Sequence, residues 1–219
     1  MKLGNKFTQY LRIKDAARLL AVSLILSMTF GLSKAQPGDA IDLTGSGSDY
    51  VALGDINSGI TQNLSVSCWV KIDDVTTDRV VIGNWGGPPN EFLIWYDDGT
   101  STWGSIVSTS AGSSTPTKIQ GSGPTVQTNQ WYHIAMTYNS NTNLTLYING
   151  DQVAQDASTG NLIDVNDDVD IGHDDHSSHD NFIGQIDEVR IWNKTLTKAE
   201  VRDYMHKSLN YNNYSSDLV

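Results

Sequence analysis

The stretch LTLYINGDQVA, residues 144–154, decides the fold class of this chain. Apolar and polar side chains alternate along its first arm, which is the period of a strand with one buried face. Asn149 and Gly150 tolerate the positive φ angles that a two-residue type I′ turn requires. The stretch therefore predicts a β-hairpin with two antiparallel arms.

Short alternating runs of this kind, separated by clusters of Gly, Asn, Asp, Ser and Thr, continue along the chain from residue 38. In residues 64–72 the even positions are all apolar, which predicts that Cys68 lies in the core. Residues 100–128 hold few apolar side chains and are predicted to form short strands with long loops. The pattern indicates an all-β sandwich or barrel. The other predicted strands are Tyr50–Leu53, Leu64–Ile72, Arg79–Trp85, Glu91–Tyr96, Trp131–Tyr138, Val169–Ile171 and Phe182–Trp192.

One helix is predicted near the end of the chain, from about Lys198 to His206. Thr197 and Glu200 have the spacing of a capping box, and Leu196 and Val201 have the spacing of a hydrophobic staple. Residues 209–219 are polar and contain few aliphatic side chains. We therefore interpret them as an exit linker or the start of a further module of a larger protein.

The first 35 residues have the features of a secretory signal. Residues 1–18 carry five basic residues and one acidic residue, an apolar run follows at residues 19–30, and small residues occupy positions 33 and 35. A membrane anchor is the alternative, but the apolar run is shorter than the ~20 residues that span a bilayer. Cleavage after Ala35 would leave a sandwich domain at residues 36–208 with no membrane span, secreted or at the cell surface. A signal of this style on a chain without a pair of cysteines suggests a bacterial protein.

The charge balance excludes polyanions as partners. Six of the 14 basic and one of the 25 acidic residues lie in residues 1–35, which leaves 8 basic and 24 acidic residues and a net charge of −16. Such a surface repels nucleic acid and anionic membranes. Clustered carboxylates can bind a hard cation such as calcium, or they can serve solubility alone.

Five blocks in order resemble the LamG-like jelly-roll domain of the concanavalin A-like lectin/glucanase superfamily, with a pattern similar to that of pentraxins. The resemblance covers about residues 40–205. It implies a two-sheet antiparallel jelly-roll β-sandwich with one short C-terminal helix, one concave face and loops that can hold calcium. It does not fix an activity, because the superfamily includes lectins, adhesion modules and glycoside hydrolases. The blocks are residues 45–51, 64–71, 131–138, 146–150 and 184–193.

An acidic segment at residues 164–181 holds seven Asp and three of the five His. The pentraxin resemblance places calcium ligands at Asn90, Asp174, Asp175 and Asp180. Pro89 and His176 stand where the family has acidic residues. Two alternatives stay open: a solvated acidic loop without a metal, and a transition metal bound by His173, His176 and His179.

Four aromatic residues flank the loop at residues 86–89 and are candidates for stacking on sugar rings: Trp85, Trp95, Tyr96 and Trp103. Aromatic residues are also common in sandwich cores. Strand alternation could therefore turn some of these side chains inward.

No pair of carboxylates has the spacing that glycoside hydrolysis requires on one strand face. Asp187 and Glu188 are adjacent, and we interpret them as structural charges with Arg190 as a partner. The sequence therefore predicts a secreted, non-catalytic module that binds a carbohydrate or cell-surface glycoconjugate with the help of calcium. The alternative is a structural or adhesion module that binds another extracellular protein, and a glucanase-type enzyme is the third hypothesis.

Overall fold

The computed structural model describes residues 40–85, 91–110, 116–164, 167–174, 180–209 and 216–219. The predicted signal at residues 1–35 lies outside these ranges. No helix in the described part of the chain is both long and apolar enough to cross a membrane. The described residues form twelve strands and one helix: β1 (Ile41–Thr44), β2 (Val51–Gly54), β3 (Asn63–Ile72), β4 (Arg79–Gly83), β5 (Phe92–Asp97), β6 (Thr102–Val107), β7 (Thr117–Ile119), β8 (Trp131–Asn139), β9 (Asn143–Ile148), β10 (Asp151–Ala157), β11 (Val169–Ile171), β12 (Ile183–Trp192) and α1 (Lys198–Tyr204).

The strands form two antiparallel sheets of six strands each. Sheet A has the order β1-β12-β3-β8-β9-β10, and sheet B has the order β2-β11-β4-β5-β6-β7. The apolar faces of both sheets contribute to one large core between them. This arrangement is a jelly-roll β-sandwich, as the sequence predicts.

The hairpin at residues 144–154 is confirmed. Ile148 pairs with Asp151 across a two-residue turn, and Asn149 and Gly150 adopt φ angles of 53° and 77°. Cys68 is fully buried, as predicted, and burial raises the pKa of its thiol to about 12. The thiol is therefore an apolar core group and not a nucleophile.

The predicted capping box and staple are both present in α1. Thr197 and Glu200 exchange hydrogen bonds at the N-terminus of the helix, while Leu196 and Val201 are buried in one apolar cluster. The cluster lies on the outer face of sheet A, where the helix packs beside Trp192 of β12. The helix therefore covers part of the outer face of sheet A.

Arg190 fixes the other end of this helix. Its buried guanidinium donates hydrogen bonds to the carbonyl oxygens of Tyr204 and Lys207, both at 2.7 Å, and pairs with Glu188. Carbonyl groups at a helix C-terminus need such donors because they have no partner within the helix. The predicted partnership of Glu188 with Arg190 is thereby confirmed.

Residues 216–219, which the sequence analysis placed in an exit linker, pack on the sandwich. Leu218 forms a bridge to Trp192 and is 6% exposed, and the amide of Val219 donates to the carbonyl oxygen of Ile191. These residues therefore extend the apolar cluster beneath α1.

His133 lies on β8 beneath the C-terminal end of α1 and is 2% exposed. Burial, together with the nearby charges of Arg190 and His206, lowers the pKa of His133 to about 3. An unfolded histidine has a pKa of about 6.5. His133 is therefore neutral in the folded chain at a pH where the unfolded chain is already protonated.

We expect His133 to destabilise the fold as the pH falls from about 6.5 to about 3. In that window the unfolded state binds one more proton, so the free energy of unfolding falls by about 1.4 kcal/mol per pH unit. Urea unfolding at pH 7, 5.5 and 4 should show a weaker pH dependence for His133→Gln than for the unaltered protein. His206→Gln, which removes only one of the charges that act on His133, should change the slope less than His133→Gln does. Equal slopes for all three proteins would contradict this assignment.

Candidate functional site

The outer face of sheet B carries a second apolar cluster. Along β5, alternate residues from Phe92 to Tyr96 lie in the core, so Leu93, Trp95 and Asp97 lie on the outer face. The cluster on this face consists of Val80, Leu93, Trp95 and Ile106, with the half-buried Trp85 packed against it. It forms the floor of an open cavity of about 250 Å³.

Trp95 is the centre of this floor. It pairs with Gly104 on β6, and a Cβ atom at position 104 would lie 2.6 Å from the indole ring. Only glycine therefore lets the ring lie flat against the neighbouring strand. The ammonium group of Lys118, on the edge strand β7, lies 5.5 Å from the ring centroid, so Trp95 is only 3% exposed.

Polar side chains surround the floor. Asp78 and Asp97 line one end of the cavity, and Lys118 and Gln120 line the β7 side. Both carboxylates are oriented by the chain itself. Oδ1 of Asp78 accepts a hydrogen bond of 2.8 Å from the amide of Asp98, and Asp97 accepts hydrogen bonds from its own β5–β6 turn.

Three carboxylates meet at this end of the cavity. One oxygen from each of Asp78, Asp97 and Asp98 lies within 4.8 Å of the others. Burial, followed by the charges of Asp98 and Asp97, raises the pKa of Asp78. The cavity thus combines an apolar aromatic floor with hydrogen-bond acceptors, one ammonium group and one amide.

The structure separates the four aromatic residues that the sequence proposed for sugar stacking. Trp95 and the half-buried Trp85 line the cavity. Tyr96 and Trp103 pair with each other on the opposite face and are 2% and 1% exposed in the core. The prediction that these two stack on a sugar is wrong, because strand alternation points both rings between the sheets.

Two of the predicted calcium ligands, Asn90 and Asp175, lie outside the described residues. Asp174 is 7% exposed. Asp180 lies beside the first residue of β4, where its carboxylate is 3.9 Å from the guanidinium of Arg79. Arg79 pairs more closely with Asp74, at 3.0 Å, so Asp180 stays a predicted ligand.

Of the three histidines proposed to bind a transition metal, His173 lies in the described part of the chain, and His176 and His179 lie outside it. Nδ1 of His173 lies 3.2 Å from a carboxylate oxygen of Asp170, and its ring stacks on Tyr50 with centroids 4.4 Å apart. These contacts orient the His173 ring within the protein.

The sequence analysis missed Asp78, Asp97, Lys118 and Gln120. Asp97 lies on the same strand as Trp95, and no sequence motif marks it. Asp78, Lys118 and Gln120 lie on or beside other strands. Sheet order brings them together: β4 and β6 flank β5, and β7 follows β6. One sequence signal for this surface was available. Leu93 is apolar although it alternates with the core residues of β5, which indicates an apolar surface on the outer face of the strand.

A family model described as the concanavalin A-like lectin/glucanases superfamily matches residues 45–202 of the chain. No curated protein shows significant sequence similarity to it. Several solved structures have the same fold. One is a Bacteroides ovatus protein to which carbohydrate binding is ascribed, with 18% identity and a TM-score of 0.57 over 73% of this chain and 45% of that chain. This chain thus spans a little under half the length of that protein.

Two further structures match a comparable share of the chain. Domain 4 of AbnA, an extracellular arabinanase from Geobacillus stearothermophilus, was solved in complex with arabinotriose and is 24% identical, with 75% of each chain covered and a TM-score of 0.59. The binding domain of Paraclostridial Mosquitocidal Protein 1 is 19% identical, with a TM-score of 0.61 over 75% of this chain and 42% of that chain. At these identities the three structures establish the fold.

We expect Trp103→Ala to destabilise the protein by about 3–5 kcal/mol, the range for removal of a buried tryptophan. The Trp103 ring makes edge contacts with Tyr96 and Tyr132, at centroid distances of 5.8 and 5.9 Å, and both contacts would be lost. Trp85→Ala, at the half-buried position, should cost under about 1.5 kcal/mol. Urea denaturation measures both. A Trp103→Ala protein of unchanged stability would contradict the core assignment.

Proposed function

The chain belongs to the concanavalin A-like lectin/glucanase superfamily, and from this premise we propose that it is a non-catalytic module that binds a neutral carbohydrate on the outer face of sheet B. The observation that carries the proposal is the cavity built on Trp95, with Trp85 at its side and polar groups around it. An apolar floor contacts the C–H face of a sugar ring, while carboxylate and amide groups at the rim hydrogen-bond its hydroxyls.

The charge around the cavity favours a neutral ligand. Asp78 and Asp97 outweigh Lys118 among the described lining residues, and the mature domain is strongly acidic. A uronate or sulfated sugar would meet this negative field, whereas neutral hydroxyl groups donate well to carboxylates. Domain 4 of AbnA, which shares the fold, was solved with the neutral trisaccharide arabinotriose, and this supports the choice of ligand class.

Lys118 has to move when a sugar binds over Trp95. Its side chain is exposed on an edge strand, and its ammonium group covers the indole face. A long, flexible lysine side chain can swing away at modest cost. The displaced ammonium group would stay close enough to donate a hydrogen bond to a sugar hydroxyl or to the rim carboxylates.

An enzymatic function is the second candidate, because Asp78 and Asp97 form a carboxylate pair in the cavity and the pKa of Asp78 is raised. We favour binding, because Asp97 is held by two hydrogen bonds from its own turn and Asp78 by a backbone amide. Carboxylates held in this way are oriented to accept hydrogen bonds from sugar hydroxyls.

Secretion follows from the signal-like residues 1–35 and stays part of the proposal. A carbohydrate-binding module at the cell surface or outside the cell meets polysaccharides there. If the cavity binds no glycan, an adhesion module that contacts another extracellular protein becomes the better hypothesis.

Calcium also stays a proposal, with Asp174 as its first described ligand. Asp174 is buried and carries a carboxylate oxygen of the type that calcium prefers. Asp180 is the second described ligand of the proposal, and its exposed carboxylate lies 3.9 Å from the guanidinium of Arg79.

We expect Trp85→Ala to weaken glycan binding at least tenfold, which corresponds to about 1.4 kcal/mol of binding free energy. Gly104→Ala should weaken binding as well, because the added methyl group would push the Trp95 ring off the floor. A neutral-glycan array followed by calorimetry on its hits measures both effects. Trp131, which is 38% exposed on sheet A, is the matched control, and Trp131→Ala should bind normally.

Three outcomes would contradict the binding proposal. One is unchanged affinity in both cavity variants, and another is a blank array with correctly folded protein. The third is release of reducing sugar by the protein that disappears in Asp78→Asn, since this would establish an enzyme.

We expect calcium to raise the melting temperature relative to EDTA. A ligand that binds only the folded state stabilises it by about 2.7 kcal/mol at a hundredfold excess over its dissociation constant. The shift should disappear in Asp174→Asn and persist in Asp98→Asn, which alters the carboxylate group at the cavity. Loss in Asp98→Asn alone would move the ion to the cavity, and no shift in the unaltered protein would rule out calcium. A shift with zinc only would favour the histidines.

A further inference from the structure

A second cavity adjoins the first at the edge of the sandwich. It has a volume of about 220 Å³ and lies between the edge strands β7 of sheet B and β10 of sheet A. Lys118 and Gln120 line both cavities. The two cavities therefore form one surface that runs from the floor on sheet B, over β7, to β10.

A bulge in β10 determines which of its side chains face the groove between the sheets. The register of β10 against β9 shifts between Gln152 and Ala154, so that Ala154 pairs with Leu146 and Asp156 with Leu144. Leu144 and Leu146 point into the core, so Ala154 and Asp156 share the face that looks toward sheet B. At the edge strand this face meets β7 and solvent, and Asp156 is exposed.

The wall opposite β7 presents groups suited to sugar hydroxyls. Asp156 is exposed on the groove face of β10, and Ser122 follows β7. Gln155 pairs with Thr145 and accepts a hydrogen bond from Gln152, so its side chain lies on the other face of sheet A. The Asp156 carboxylate can accept hydrogen bonds from sugar hydroxyls, and the Ser122 hydroxyl can both donate and accept. Ile119 and Ala154 supply the apolar part of the lining.

The spacing of the two edges is fixed. The hydroxyl of Thr117 donates a 2.8 Å hydrogen bond to the hydroxyl of Ser158, which joins the start of β7 to the residue after β10. The groove therefore exists before a ligand arrives, which reduces the ordering cost of binding.

We propose that the groove between β7 and β10 is a second subsite, and that the natural ligand is a linear neutral oligosaccharide or polysaccharide strand that passes over Lys118 and Gln120 from one cavity to the other. This inference rests on the proposed function of the first cavity. Trp95 is two strands away from β7, which is about 10 Å at ordinary strand spacing. A single sugar on Trp95 does not reach β10, and a chain of several sugars does.

The test is binding against chain length. Ladders of one to six sugars from arabinan, xylan, galactan, cellulose and β-1,3-glucan are titrated by calorimetry into the full chain. For the ladder that binds, affinity should rise at least tenfold between the shortest bound member and the tetramer, and then level off when both cavities are filled. A flat affinity across that ladder would overturn the second subsite while leaving the first cavity intact.

A variant on β10 tests whether the second cavity provides the gain in affinity. Asp156→Ala should lower the affinity for the tetramer and longer members about tenfold, with less than a twofold change for the shortest bound member. The matched control is Asp73→Ala, an exposed residue of the same type outside both cavities, which should bind all members normally.

Each remaining outcome has a distinct meaning. Equal loss for short and long members would place Asp156 in the first site and overturn a separate subsite. No binding by any ladder would refute the proposed function and this inference together. A length-dependent gain that survives Asp156→Ala would overturn the subsite at β10 and show that the ligand extends in another direction.

Discussion

The alternation of side chains along β5 is the constraint on which the rest of the structure depends. One set of residues, from Phe92 to Tyr96, closes the core between the sheets, and the other set, Leu93 and Trp95, builds the floor of the outer cavity. A shift of the strand by one residue would exchange the two sets. It would put Asp97 into the core without a cation partner, which is costly. Core packing therefore holds Trp95 on the outer face.

The outer faces of the two sheets have different roles because the helix covers only one of them. On sheet A, α1 buries Trp192 and the residues around it, and Arg190 anchors the end of the helix by binding its carbonyl groups. The same guanidinium helps to keep His133 neutral, so this face is built for stability near neutral pH. Sheet B has a comparable apolar cluster on its outer face, and there it lines an open cavity. Its members are themselves almost fully buried, with the ammonium group of Lys118 over the Trp95 ring, so a ligand reaches this floor only when Lys118 moves.

Local patterns in the sequence predicted most of the fold, because turns, caps and alternation depend on residues that are neighbours in the chain. Asn149 with Gly150, and Thr197 with Glu200, are examples. The site depends on contacts between strands, which no local pattern encodes. Asp78 meets Asp97 because β4 pairs with β5, and Lys118 reaches Trp95 from β7, a strand of three residues that is too short to show a period. Gly104 is needed because the Trp95 ring occupies the space where a Cβ atom would lie, and the sequence does not show which side chain lies there.

The hydrogen bonds that hold Asp78 and Asp97 also bear on the choice between a binding site and a catalytic site. Both carboxylates accept hydrogen bonds from the β5–β6 turn, Asp97 from Gly99 and Thr100 and Asp78 from the amide of Asp98, so their orientations are set before a ligand arrives. This fixed geometry lowers the entropy cost of accepting sugar hydroxyls. A hydrolase would need one of these groups to give up a proton and take it back in each cycle, which requires a carboxyl group whose protonated form is stabilised near the working pH. Burial acts in that direction at Asp78, but the backbone amide that donates to it stabilises the charged form. The net result is a raised pKa at Asp78, so the support for the proposed binding site comes from the fixed orientation of the two carboxylates as hydrogen-bond acceptors.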